Sequence, residues 1–148
     1  MQLTQKETGL LKDLKDQEQL CVDKYRRHAE SAHDKGLSGL LNYIGGIESE
    51  HLRVINEMAA GGSPTLASAG AAPAVAAAAG VDAEGKKCDS FICSDLLATE
   101  KHASHLYDTC VFEFGQQEYR GLLNSIQKEE QEHGKLIYDY MKKNGMYS

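Results

Sequence analysis

The sequence lacks three features that mark large classes of protein: an excess of positive charge, an apolar N-terminal segment, and a long hydrophobic run. Its 22 acidic side chains outnumber its 16 lysines and arginines, and the formal net charge is −6. Such a chain repels a phosphate backbone unless its basic residues are segregated, and the sequence has no basic cluster. We therefore expect no nucleic-acid partner. The N-terminal residues are polar and of mixed charge, unlike a secretory signal, so we expect the protein to remain inside the cell that makes it.

Membrane insertion and disulfide scaffolding are also not expected. The longest apolar stretch, residues 67–80, consists mostly of alanine and glycine and contains Pro73, so it is too short and too weakly hydrophobic to cross a bilayer. The four cysteines form no Cys-x-x-Cys pair, and free thiols are the default in a reducing compartment. Cys88 and Cys93 are expected in an exposed region, where they are either unpaired thiols or links between neighbouring molecules.

The hydrophobic periodicity predicts an all-α protein, because no segment alternates polar and apolar residues as a strand does. Thr4 and Glu7 have the spacing of a capping box and place the start of helix A. We predict a single domain over residues 1–148, with helices A and B in 1–60 and helices C and D in 90–148. Residues 61–89, rich in alanine and glycine and containing both prolines, are predicted to be a flexible crossover, with Ser90 or Ser94 capping helix C. The predicted core stripe of helix D is Leu122, Ile126, Ile137 and Met141.

The two halves of the chain repeat a pattern at a shift of 82 positions. The shift places residues 39–51 on residues 121–133, which share a Gly-Leu-Leu-Asn start, an isoleucine and a Glu-x-x-His motif. It also places Glu18 on Glu100 and Tyr25 on Tyr107. Four helices are thus two related hairpins joined by one long crossover, which is the ferritin-like form of the four-helix bundle.

The repeat sets six potential metal ligands on the apolar faces of the four helices. They are Glu18, Glu48, His51, Glu100, Glu130 and His133. Four ionised carboxylates in one interior need neutralisation, because an unpaired buried charge costs several kcal/mol even after relaxation. No lysine or arginine shares those faces, whereas two divalent cations would balance four negative charges.

Alternatives to a metal site remain open at this point. The same residues could form an internal hydrogen-bonded network with protonated carboxyls and no metal. Tyr25 and Tyr107 are either core tyrosines or residues that hydrogen-bond a ligand carboxylate or relay an electron. Glu50 and Glu132 are expected to be solvated, and the unrepeated histidines His28, His33, His102 and His105 are expected at the surface.

Three segments of the C-terminal third carry a family resemblance: Asp95–Tyr107, Ile126–Gly134 and Tyr140–Tyr147. With these segments the chain resembles the Coat F family of bacterial spore-coat proteins. The doubled pattern of the whole chain is similar to the ferritin, bacterioferritin and rubrerythrin superfamily. That resemblance implies that the six residues ligate two metal ions, with Glu48 and Glu130 as bridges, and that the metal is iron, with manganese next.

The two resemblances imply two different functions. The first is a spore-coat protein, made in the mother-cell cytoplasm and assembled with other coat proteins, with a possible homo-oligomer. The second is a diiron oxidase or peroxidase acting on oxygen or peroxide; iron storage in a cage ranks last. Active diiron enzymes often place an aspartate just before the Glu of Glu-x-x-His, where this chain has Ile47 and Glu129. The chain also has no rubredoxin-like cysteine pairs, so a partner would have to supply electrons.

Overall fold

The computed structural model describes residues 2–147, which form four helices and no strand. The helices are α1 (Gln5–Ser31), α2 (Lys35–Ala59), α3 (Ala83–Val111) and α4 (Gln117–Lys143). The all-helical prediction is confirmed. Helix α1 packs against α2 and α3 against α4, while α1 also contacts α3 and α2 contacts α4, so the four form a bundle. Among the described residues, no helix combines the length and apolar character that a bilayer crossing requires.

Side-chain caps explain where three of the helices begin. Thr4 and Glu7 form the predicted capping box: the Thr4 hydroxyl accepts from Glu7 N at 3.1 Å, and Glu7 Oε1 accepts from Thr4 N at 2.9 Å. Asp34 accepts from Leu37 N at 3.2 Å at the start of α2. Asp82 accepts from Gly85 N at 2.8 Å at the start of α3. Each cap satisfies a backbone amide that the first helical turn leaves free.

The cap at Asp82 corrects the predicted start of the third helix. We expected Ser90 or Ser94 to cap it, but α3 already begins at Ala83, inside the predicted crossover of 61–89. The first turns of α3 also contact the loop between α1 and α2: the Asp89 carboxylate accepts from the backbone amides of His33 and Asp34, at 2.8 and 3.0 Å. This segment therefore belongs to the bundle.

The remaining part of the crossover follows the bundle surface instead of projecting from it. Its backbone is hydrogen-bonded to α2 and to the end of α4: Gly70 O accepts from the Tyr43 hydroxyl at 2.7 Å, and Ala78 N donates to the Asn144 side chain at 2.8 Å. The flexibility that we predicted for this crossover from its composition stays a prediction.

Two predicted burial assignments are wrong in detail. In α4 the fully buried leucine is Leu123, whereas Leu122 of the predicted stripe is only half-buried. Cys93, which we expected in an exposed region, is buried in the core, whereas Cys88 is exposed as expected. Since α3 begins earlier than predicted, Cys93 falls in its interior and faces inward.

The apolar core is divided into two clusters that lie toward opposite ends of the bundle. One contains Tyr25, Leu37, Ile44, Leu96 and Ile137, and the other contains Leu14, Ile55, Tyr107, Leu123 and Ile126. In every helix the predicted ligands fall in sequence between the residues of the two clusters. The bundle therefore holds a polar layer between two apolar ones.

Candidate metal centre

All six predicted ligands lie in that polar layer, and each is at most 2% exposed. Within the described residues they form two overlapping groups whose ligand atoms all lie within 4.8 Å of one another. The first group is Glu18, Glu48, His51 and Glu130, and the second is Glu48, Glu100, Glu130 and His133. Glu48 and Glu130 belong to both groups, which is the arrangement that two bridging carboxylates require.

The two histidines bind glutamates of the opposite half of the chain. His51 Nδ1 lies 2.8 Å from Glu130 Oε1, and His133 Nδ1 lies 3.0 Å from Glu48 Oε1. The two contacts exchange under the 82-position shift. The two imidazole rings are stacked, with centroids 5.9 Å apart. Both Nδ1 atoms contact the shared carboxylates.

Tyr25 and Tyr107 donate hydrogen bonds to the remaining two glutamates. The Tyr25 hydroxyl lies 2.5 Å from Glu100 Oε1, and the Tyr107 hydroxyl lies 2.6 Å from Glu18 Oε1. Both tyrosines are fully buried. The structure places both tyrosines against carboxylates that are predicted ligands, and each tyrosine contacts the glutamate of the other half.

The electrostatics of the cluster favour a proton on the two shared glutamates. Burial, together with the charges of Glu18 and Glu100, raises the pKa of Glu48 well above its usual value of 4.5. Burial and the charge of Glu48 raise the pKa of Glu130 in the same way. A proton on either of these carboxyls would therefore compete with a bound cation.

The other charges in the layer are stabilised by hydrogen bonds. Burial lowers the pKa of His51, but hydrogen bonds with Glu129 and Glu130 outweigh it and raise the pKa to about 10. Burial also opposes ionisation of Glu100, but hydrogen bonds with Glu130 and His133 lower its pKa to about 2. The metal-free layer is thus a network of imidazolium, carboxylate and carboxylic acid groups.

This network is incomplete as a hydrogen-bonded structure, and the donor set suits a divalent cation. Among the described residues, four buried polar atoms of the cluster have no hydrogen-bond partner: Glu18 Oε2, Glu100 Oε2, Glu130 Oε2 and His133 Nε2. Within residues 2–147 the four carboxylates of the cluster form ion pairs with histidine but with no lysine or arginine. Carboxylate oxygens and imidazole nitrogens are ligands that iron and manganese accept. The residues present therefore fit two such ions.

Glu129 contacts one of the two histidines of the cluster. Its Oε1 lies 2.7 Å from His51 Nε2, on the side of the ring away from the cluster. In the sequence, Glu129 stands directly before the Glu of the second Glu-x-x-His motif, where active diiron enzymes often have an aspartate. This position suggests a contact with a histidine of the cluster. Which histidine it contacts depends on how α2 and α4 pack. Ile47, its counterpart in the first half, has no polar atom to offer His133.

The residues predicted to lie outside the site mostly do. Glu132 is exposed, and Glu50 forms an ion pair with Arg53. His33, His102 and His105 are exposed as predicted. His28 is the exception, because it is partly buried with its Nε2 2.8 Å from Asp95 Oδ2.

A cavity between α3 and α4 reaches the polar layer from the surface. It has a volume of about 520 Å³. Glu100 and Glu130 form part of its lining, together with polar side chains that include Lys101 and His105. Two of the predicted ligands are therefore within reach of a small molecule.

The fold and the site together define an all-helical bundle protein with a buried glutamate and histidine cluster able to hold metal. Comparison with protein families adds that residues 88–148 match the model of the Coat F domain. This match supports the resemblance to the Coat F family over the C-terminal part of the chain. It covers Glu100, Glu130 and His133, whereas the other three predicted ligands lie outside it. No curated protein sequence matches the chain.

Proposed function

We propose that this chain is a spore-coat protein of the Coat F type, built on a ferritin-like bundle with a buried dinuclear metal site. The match of residues 88–148 to the Coat F domain is the observation that carries the coat assignment. The protein is made in the mother-cell cytoplasm and is then incorporated into the coat. Its partners there are other coat proteins and further copies of itself.

The ferritin-like part of the proposal rests on the duplicated contacts. One long crossover joins α2 to α3, as in ferritin-like bundles, while the other two connections are short. The tyrosine and histidine contacts of one hairpin with the other repeat at the same 82-position shift as the sequence.

In the proposed metal site, Glu48 and Glu130 would be shared by two ions. Glu18 and His51 would hold one of these ions, and Glu100 and His133 would hold the other. Iron is the first choice and manganese the second. The four carboxylates would be neutralised by the bound cations in place of protons and the His51 imidazolium, and the six residues that hold the cations come from all four helices. Metal binding would therefore stabilise the coat component.

A second candidate function, a diiron oxidase or peroxidase, is favoured by the cavity that reaches Glu100 and Glu130. When bound, a pair of Fe(II) ions supplies electrons to oxygen or peroxide. The chain's own residues would admit the small oxidant through the cavity. They would also exclude bulk water by the two apolar layers and hold a proton at the Tyr25 hydroxyl beside Glu100.

One experiment separates these functions: a fluorescent fusion in sporulating cells, combined with peroxide consumption by the iron-loaded protein, for the parent and Glu48→Ala. If the protein serves in coat assembly, both forms reach the spore surface, and neither consumes peroxide faster than free iron does. An oxidase loses turnover in Glu48→Ala but not in the matched surface variant Glu132→Ala. Failure of the parent to reach the spore surface contradicts the coat assignment.

A further inference from the structure

The two histidines of the proposed metal site differ on the side that faces away from the metal. His51 Nε2 lies 2.7 Å from Glu129 Oε1. His133 Nε2 is buried and has no hydrogen-bond partner among the described residues. The 82-position shift sets Glu129 on Ile47, so the duplication supplies a carboxylate to one histidine and an aliphatic side chain to the other.

This difference matters because a metal-binding histidine is normally held through its second ring nitrogen. A carboxylate at that nitrogen fixes the tautomer, with the proton on the nitrogen away from the metal, orients the ring and makes the ligating nitrogen more basic. Loss of such a partner typically weakens metal binding by about 10- to 100-fold. Each subsite has one histidine, one glutamate of its own and the two shared glutamates. The two subsites therefore differ in the contact at the second ring nitrogen of the histidine.

We infer that the two subsites are unequal, and that Glu129 is a positioning residue that makes the His51 subsite the tighter one. The inference rests on the proposed dinuclear site and adds which half of it fills first with a divalent cation. The His133 subsite releases its ion more readily, because its imidazole is free to change tautomer and orientation.

The structure offers a matched pair of substitutions. Ile47 and His133 both line a cavity of about 290 Å³ between α2, α4 and the crossover. A glutamate at position 47 therefore has space near the His133 ring. Glu129 is partly exposed, with 18% of its side chain accessible, so its replacement need not disrupt the core. Ile47→Glu adds the missing partner, and Glu129→Ile removes the existing one.

The test is a titration of the metal-free protein with Mn(II). Binding is measured as the loss of the electron paramagnetic resonance signal of the free ion. Repulsion between two neighbouring cations alone makes successive constants unequal, so the variants decide the question. We expect Glu129→Ile to weaken the tighter constant about 10- to 100-fold and to leave the weaker one within about threefold. We expect Ile47→Glu to strengthen the weaker constant. Glu132→Ile, which removes a nearby exposed carboxylate, should change neither.

Two ions bound by Glu129→Ile with the parent's constants would overturn this inference while leaving the dinuclear site intact. A parent that binds no Mn(II) would overturn the site itself and the inference with it. Circular dichroism of each metal-free variant checks folding. If Glu129→Ile does not fold, Glu129→Gln serves instead: it removes the charge but keeps an acceptor, and it should weaken only the tighter constant, by a smaller factor.

Discussion

The Tyr25 hydroxyl lies 2.5 Å from Glu100 Oε1, and both groups are buried in the middle of the bundle. Tyr25 belongs to α1 and Glu100 to α3, so the bond joins the two hairpins. Its counterpart joins Tyr107 to Glu18. In each pair the tyrosine hydroxyl is a neutral donor to a carboxylate that is buried away from water.

Replacing Tyr25 with phenylalanine should therefore destabilise the metal-free protein more than the loss of an ordinary hydroxyl. A buried carboxylate oxygen loses its donor, which costs about 1 to 3 kcal/mol. Tyr107→Phe should cost a similar amount. Tyr43→Phe is the control, because the Tyr43 hydroxyl donates to Gly70 O at an exposed position and should cost less than about 1 kcal/mol. Denaturant unfolding measures all three, and equal losses for Tyr25→Phe and Tyr43→Phe would contradict the account.

The metal-free protein should lose stability as the pH rises above the ordinary range of a glutamate. The pKa of Glu48 is raised above 4.5, so the folded protein keeps a proton that the unfolded chain releases. The stabilising contribution of this proton is complete below about pH 4.5 and declines at higher pH, by at most about 1.4 kcal/mol per pH unit. His51, with its pKa raised from 6.5 to about 10, contributes a decline in the same direction above pH 6.5.

The substitution Glu48→Gln isolates the first of these contributions. Glutamine keeps the shape and cannot ionise, so the variant should be more stable than the parent at neutral pH and its unfolding free energy should fall less steeply between about pH 5 and about pH 8. Glu132→Gln, at an exposed position, should follow the parent. A Glu48→Gln profile parallel to that of the parent would show that Glu48 does not retain a proton.

Metal binding should release protons and strengthen as the pH rises. His51 must lose the proton that its raised pKa, about 10, retains at neutral pH, and the raised pKa of Glu48 and Glu130 adds to the effect. We expect the Mn(II) affinity to rise about tenfold or more per pH unit between about pH 6 and about pH 8. Calorimetry in buffers of different ionisation enthalpy counts the released protons. An affinity independent of pH would rule out the protonated network.

The first turns of α3 should prove part of the bundle and not of a linker. Asp89 is 1% exposed and accepts from two backbone amides in the α1–α2 loop. Asp89→Ala leaves both amides without a partner and should cost about 2 to 4 kcal/mol, whereas Asp108→Ala, at an exposed position, should cost little. Thermal and denaturant unfolding compare the two. Equal stability of both variants would indicate that this segment does not hold the loop.

Local and repeated signals account for what could be predicted from the sequence. The start of α1 was predictable because Thr4 and Glu7 satisfy each other's backbone amides within one turn. The grouping of the six site residues was predictable because the duplication placed Glu18 and Glu48 in register with Glu100 and Glu130. Their roles as ligands remain predictions.

Features that depend on packing between helices were not predictable. The composition of residues 61–89 resembles a linker throughout, yet Asp82 starts a helix within it that the α1–α2 loop then secures. The partner of Glu129 is 78 positions away in α2, and no spacing within either helix identifies it. Burial of Cys93 follows from the same early start of α3.

The central claim is that the polar layer binds two metal ions, and metal content tests it most directly. Untagged protein from cells supplied with iron and manganese should be analysed by mass spectrometry beside the double variant Glu48→Ala, Glu130→Ala, with circular dichroism to check that both are folded. We predict about two ions per chain in the parent and none in the variant, because the variant lacks both shared ligands. No metal in a folded parent would contradict the claim and leave the layer as an internal network of glutamate and histidine.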